Sequence, residues 1–242
     1  MNIRVNANYE EMSRVAADFI VEYVKKNPAA LLCFPSGDTP TGIFRCLVQD
    51  AKQGIVDFTN CSFIGLDEWV GLNGSDEGSC RHYMDEHLLL PLNIQADKIY
   101  FFDGAAANIE AECHRINEFI GQKGPLDLMM VGLGMNGHVG LNEPGVDFSL
   151  HAHISELQDN TKIVAKKYFQ KEVSLSQGIT LGPKDLLESK IAILIASGSK
   201  KAGIVARALE GDITENTPGS IFQQHPDAYV FLDSDAAGLL SK

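Results

Sequence analysis

Short apolar runs alternate along this chain with longer segments of helical periodicity, and that alternation leaves few folds open. Residues 30–34, 61–66, 98–102, 126–133, 190–196 and 228–232 read as strands, each a compact and mainly apolar run. Residues 9–26, 41–52, 79–90, 108–121 and 200–209 read as helices; in the first, Met12, Val15, Ala16, Phe19, Ile20, Tyr23 and Val24 fall on one face. Strands separated by helices must be joined by crossovers, which makes neighbouring strands parallel and covers both faces of the sheet. The expected fold is therefore α/β, a doubly wound, mainly parallel, Rossmann-like sheet. Without an internal repeat or a Pro/Ser/Gly linker, residues 1–242 read as a single domain. The less regular stretch 147–187 reads as a lid-like excursion.

Composition narrows the class of ligand. Hydrophobic residues make up 45% and charged residues 21%, enough apolar material for a full core. With 20 Lys and Arg against 32 Asp and Glu, the net charge of −12 argues against nucleic acid or an anionic membrane as partner, so an anionic ligand must be held locally. The first residues lack the apolar core of a signal peptide, and no run is long enough to span a bilayer. A cytoplasmic location is expected. Five widely spaced cysteines, never in a C-x-x-C pair, suit reduced thiols rather than a disulfide framework or a metal site.

In an open parallel sheet, ligands bind beyond the carboxyl ends of the strands. Four predicted strands are followed there by polar, specific segments. The first, Pro35-Ser36-Gly37-Asp38-Thr39-Pro40, reads as an anion cradle at a helix start, with Thr39 as N-cap and Pro40 in the first helical position. It matches neither the G-x-x-x-x-G-K-S/T nor the G-x-G-x-x-G nucleotide pattern. After the second strand comes Asp67-Glu68-Trp69; Asp67 is a candidate base, and Glu68, facing the other way, a candidate structural carboxylate.

The third segment, 132–145, sets His138 and Glu143 among glycines, where Glu143 can fix the imidazole tautomer and support its protonated form. Asn136 adds a hydrogen-bonding group. The fourth segment offers Lys201 as a mobile cation at a helix start. His151 and His153 would share a strand face, but no third ligand pattern accompanies them, and no metal or cofactor is expected.

Three of these segments carry a resemblance. Ser36-Gly37-Asp38-Thr39-Pro40, Leu66-Asp67-Glu68-Trp69-Val70-Gly71-Leu72 and Asn136-Gly137-His138-Val139-Gly140-Leu141-Asn142-Glu143-Pro144-Gly145, with the later Gly198-Ser199-Lys200-Lys201-Ala202, resemble the glucosamine-6-phosphate deaminase family over nearly the whole chain. The resemblance implies a cofactor-free isomerisation of a 2-amino-2-deoxyhexose 6-phosphate to a ketose 6-phosphate with loss of ammonia. It gives His138 the opening of the sugar ring, Asp67 the proton transfer between C2 and C1, and Glu143 with Asn136 the tuning of His138. It places the phosphate on Ser36, Gly37, Asp38 and Thr39, on Lys201, and on Lys167, which stands where relatives have Arg. The partner implied is a small sugar phosphate; self-association into a homo-oligomer is left open.

The chain departs from the family at Asn136, where many members have Asp, at Trp69, where Tyr is usual, and at Pro35-Ser36-Gly37-Asp38. The basic residues found after the Asn-Glu-Pro motif in activated relatives are replaced here by His153 and Ser155, so activation by an N-acetylamino sugar phosphate is not expected. A galactosamine-6-phosphate isomerase/deaminase differs only at C4 and stays open as an alternative. So do a 6-phosphogluconolactonase, which characteristically lacks the Asn-Glu-Pro, and a non-catalytic sugar-phosphate sensor domain, which would carry an N-terminal helix-turn-helix.

Overall fold

The structure, a computed structural model, describes residues 1–169 and 175–241. Strands β1 (Asn2–Asn6), β2 (Leu31–Phe34), β3 (Ser62–Gly65), β5 (Ile99–Tyr100), β6 (Leu128–Gly132), β9 (Ile191–Ala196) and β10 (Ala228–Asp233) form one sheet, ordered β1-β10-β9-β6-β2-β3-β5 and parallel throughout. Helices α1 (Tyr9–Lys26), α2 (Asp38–Lys52), α4 (Ile109–Lys123), α6 (Pro183–Glu188) and α7 (Ala202–Glu210) join and cover these strands.

The central strands are apolar at every position because both their faces are covered. Along β2, Leu31 and Cys33 enter one core while Leu32 and Phe34 enter the other; Met129 and Val131 oppose Leu128 and Met130 on β6, and Ala192, Leu194 and Ala196 oppose Ile191, Ile193 and Ile195 on β9. The first core is closed by α4, α6 and α7, the second by α1 and α2. Helix α1 buries Met12, Ala16, Ala17, Ile20, Val21 and Val24, a stripe whose larger members each contribute about 1.5–3 kcal/mol on burial. The Asn8 side chain accepts the Glu11 N–H at its start, and Lys25 and Lys26 complement the dipole at its end.

The stretch 147–187 is more ordered than its sequence indicates. It supplies β7 (His153–Glu156), α5 (Asp159–Ala165) with a 3₁₀ turn Lys166–Tyr168, and β8 (Gln177–Thr180); β4 (Asp67–Trp69) pairs antiparallel with β8 and β8 with β7, giving a second, three-stranded sheet. The remainder of the expected excursion, 170–174, lies outside the described residues. The predicted helix over 79–90 divides into α3 (Cys80–Met84) and a π-helical turn, Asp85–Leu89. Among the described residues no helix is long and apolar enough to cross a membrane.

The order of the strands reverses between β2 and β6: from β2 they are added outward through β3 to β5, and from β6 through β9 and β10 to β1. The segments leaving those two adjacent strands therefore splay apart and leave a crevice above the sheet edge.

Candidate active site

A cavity of about 510 Å³ opens at that reversal. Ser36, Gly37, Asp38, Thr39, Asp67, Asn136, His138, Lys167 and Lys201 all line it, so segments from four strands and from the excursion meet there. Glu143 is the one candidate set back from the wall; it is buried at 5% exposure behind the imidazole.

Asp67 reaches the cavity because the chain leaves the main sheet at Leu66 and continues as β4 against β8. Its carboxyl is buried, which pushes its pKa up to about 6 against the opposing influence of the Cys80 thiol and of His138. Glu68 turns the other way, as alternation along a strand requires. It is fully buried, and its carboxylate accepts the backbone N–H of Trp69 and Cys80 at 2.9 Å and of Arg81 at 3.0 Å, which ties the start of α3 to β4.

His138 is held from below and behind. A Cβ on Gly134 would stand 2.4 Å from the imidazole Nε2, so only glycine lets the ring lie on that loop. The Gly134 N–H donates to the His138 carbonyl at 2.8 Å, and the His138 N–H donates to Asn136 Oδ1 at 3.2 Å. Glu143 Oε2 is 3.7 Å from Nδ1, an ion-pair distance, and Thr161 Oγ1 is 3.4 Å from the same nitrogen. Asn136 Nδ2 donates to Glu143 Oε2 at 2.8 Å and to Gln158 Oε1 at 3.0 Å, while the Gln158 N–H donates to Glu143 Oε1 at 3.2 Å. Burial alone would raise the Glu143 pKa, but contacts with His138 and Thr161, the imidazole's charge and the Asn136 amide outweigh it and hold the carboxyl at about 2. An anchored carboxylate on the Nδ1 side leaves Nε2 as the nitrogen for proton transfer.

Helix α2 starts two residues earlier than its sequence indicates. Its N-cap is Gly37 at φ +107°, a conformation that favours glycine, so Thr39 lies inside the first turn and does not cap it. The early start sets Asp38 and Thr39, in the first turn, in the cavity wall, where the helix dipole favours an anion. Lys201 approaches from the start of α7 and donates to the Leu133 carbonyl. Burial, and secondarily the charge of Lys167, lowers its pKa to about 8. Lys167 pairs with the Asp38 carboxylate.

Thr161, Gln158, Tyr168 and Cys80 belong to this site and carry no sequence signal that would have singled them out. Three of them lie on the irregular stretch, and Cys80 looks like the other packed thiols. The two histidines at 151 and 153 are otherwise engaged: His151 Nδ1 lies 2.6 Å from Asp185, and His153 Nδ1 lies 2.9 Å from the His151 carbonyl. Among the described residues no cluster of three or more His, Cys, Asp or Glu side chains could hold a metal ion.

A buried carboxyl, a carboxylate-backed imidazole and a helix start meet in one crevice of this α/β fold, a set of groups suited to proton transfer on a small anionic molecule. Sequence comparison makes this more specific. The family model for glucosamine-6-phosphate isomerases/6-phosphogluconolactonase matches residues 6–231, and the chain belongs to that family. A glucosamine-6-phosphate deaminase of Geobacillus sp. (strain WCH70) is 37% identical over 235 residues, 97% of this chain and 94% of its own. A monomeric glucosamine-6-phosphate deaminase of solved structure superposes with a TM-score of 0.95 at 32% identity, over 99% of this chain and 100% of that one. The 6-phosphogluconolactonase from Trypanosoma brucei superposes with a TM-score of 0.77 over 99% of this chain and 98% of its own, but at 19% identity, a likeness of fold alone.

Proposed function

We propose that the chain is an amino-sugar 6-phosphate isomerase/deaminase converting glucosamine 6-phosphate and water to fructose 6-phosphate and ammonia. The observation that carries this reading is that Asp67 and His138 face one cavity together with the α2 cradle and Lys201. A hexose phosphate is long enough to rest its phosphate on the cradle and present its C1–C2 end to the two titratable groups. Identity above 30% to deaminases over full length supports the same substrate class.

In this reading, His138 moves a proton between the ring oxygen and O1 to open the pyranose, with Glu143, Asn136 and Thr161 fixing its orientation. Asp67, ionised, removes the C2 proton and returns it to C1. The C2 amine becomes a ketimine, which water hydrolyses to the ketone and ammonia. A base whose pKa sits near 6 is ionised at neutral pH yet close enough in basicity to pass a proton both ways.

The pH dependence follows from two groups. The free enzyme needs Asp67 deprotonated and Lys201 protonated, so kcat/KM is expected to rise through about pH 6 and fall above about pH 8. Phosphate bound beside Lys201 favours its charged form, so the alkaline fall in kcat should lie at higher pH. A kcat/KM that stays flat between pH 5 and 7 would remove Asp67 from the role of base.

Lys201→Ala is expected to weaken glucosamine 6-phosphate binding on the order of tenfold to a hundredfold, the loss of one charge-assisted hydrogen bond of about 1.5–3 kcal/mol. Inhibition by unphosphorylated glucosamine should not change. Equal losses for both sugars would place the phosphate elsewhere.

An ammonia-release assay comparing glucosamine 6-phosphate with galactosamine 6-phosphate tests the function and its C4 preference together. Turnover of the galacto epimer alone would reassign the substrate. Absence of ammonia from both, with hydrolysis of 6-phosphogluconolactone, would transfer the chain to the family's other activity.

A further inference from the structure

The donors that a phosphate would use at the start of α2 are engaged by the molecule's own side chains. Lys167, on the 3₁₀ turn after α5, forms an ion pair with the carboxylate of Asp38, the first residue of α2. The neighbouring Tyr168 brings its hydroxyl 3.2 Å from where a Cβ would stand on Gly37 and against the Asp38 backbone N–H. The Lys167 ammonium also lies 4.8 Å from the centre of the Tyr168 ring, within cation–π range. One arm of the excursion thus has its cation engaged by Asp38 and its Tyr168 hydroxyl set against an amide of the cradle.

An ionised carboxylate only accepts hydrogen bonds, so the Asp38 side chain offers a phosphate nothing but repulsion. Its position is nevertheless specific, because it contacts a lysine that lines the same cavity. The pair is well exposed, with 47% and 69% of the two side chains accessible, and a pair of that kind holds its partners by roughly a few-fold in equilibrium terms. A dianion that also receives Lys201 and the α2 amides can outcompete it, and the displaced carboxylate has solvent to turn into.

We propose that Asp38 is an internal counter-anion that sets specificity: its carboxylate holds Lys167 in the cavity until a phosphate dianion displaces it, while ligands with one negative charge or none leave the pair closed. The proposal rests on reading the cavity as a sugar 6-phosphate site. A rival role exists, since a carboxylate in the first turn complements the helix dipole whatever binds nearby. That role predicts a slightly lower melting temperature on neutralising Asp38 and no change in anion affinity.

The test is calorimetric titration with inorganic phosphate at pH 8, where it is a dianion, on the full chain carrying Asp38→Asn, Asp38→Ser, Lys167→Met, or Asp38→Asn with Lys167→Met. Thermal melts verify that each variant is folded. Removing the competing carboxylate is expected to tighten phosphate binding roughly fivefold to twentyfold in both Asp38 variants. In the Lys167→Met background the gain should fall to less than half of that on a logarithmic scale. Unchanged affinity in the Asp38 variants overturns the proposal in favour of the helix-dipole role. Weaker affinity overturns it too, because the carboxylate would then be needed to present Lys167. A gain of the same size without Lys167 reduces it to a general charge effect. Failure of the wild type and every variant to bind phosphate would instead remove the functional reading, and the proposal with it; binding without a gain in Asp38→Asn sinks the proposal alone.

Discussion

Asp67→Asn is expected to lower kcat by about 10²–10⁴, the usual contribution of a positioned general base, while leaving KM within about threefold. The substitution keeps the shape of the side chain and its place on β4 but removes its capacity to take a proton. Burial holds the native carboxyl at about 6 where 3.8 is ordinary, so the folded state binds a proton more readily than the unfolded chain does. The sign follows: the stability associated with this group is fully present below about pH 4, is lost as the pH rises through 6, and at pH 7.5 the buried charge is a net cost. Asp67→Asn should therefore melt higher than the wild type at pH 7.5, by the equivalent of up to about 3 kcal/mol, and lose that advantage near pH 4. Steady-state kinetics with thermal melts at the two pH values measures both effects. A parallel rise in KM would mean that Asp67 binds the sugar and does not act as its base.

Glu68→Ala is expected to damage the fold more than any other single change at the site. It strands two buried donors, the N–H groups of Trp69 and Cys80, at about 1–3 kcal/mol each, and the part-buried N–H of Arg81. A combined loss of about 2–6 kcal/mol is a large part of the 5–15 kcal/mol typical of a folded domain. Glu68→Gln should behave differently. Burial, opposed by those three amides and reinforced by the charge of Asp67, raises the Glu68 pKa to about 7, so a neutral acceptor lies close to the native charge state at neutral pH. Urea unfolding at pH 7 is expected to place Glu68→Gln within about 1 kcal/mol of the wild type, with Glu68→Ala far below both. If the alanine variant unfolds like the wild type, those amides find other partners and the tie between β4 and α3 is not structural.

Much of this arrangement can be read from the residues. Buried parallel strands are apolar throughout, so β2, β6 and β9 stand out in the sequence, and the alternation with helices dictates their direction. The rule that ligands gather at the carboxyl edge then selects Asp67, His138, Lys201 and the Ser36–Thr39 segment, because each follows such a strand directly. What stays hidden has a common cause. Strand β1 is polar and largely exposed, an edge that pairs with β10, and its pattern carries no apolar run. Strands β4, β7 and β8 are three or four residues long and make sense only once they are paired with each other. Thr161 and Gln158 act on His138 and Glu143 from more than a dozen residues away, a relation that backbone geometry creates and no spacing encodes. Gly37 in place of Thr39 at the helix start is the same lesson at short range, since a positive φ is a property of the folded turn.

The pairing of β1 with β10 also orders events in time. Asn2 is in register with Tyr229 and Asn6 with Asp233, so β1, made before the rest of the sheet, lacks this partner until β10 has been made. Closing a loop of that size is entropically slow, and the rest of the sheet can assemble beforehand through nearer neighbours. The amide protons of residues 2–6 should accordingly be the last in the sheet to gain protection during refolding and the first to exchange with deuterium in the native protein.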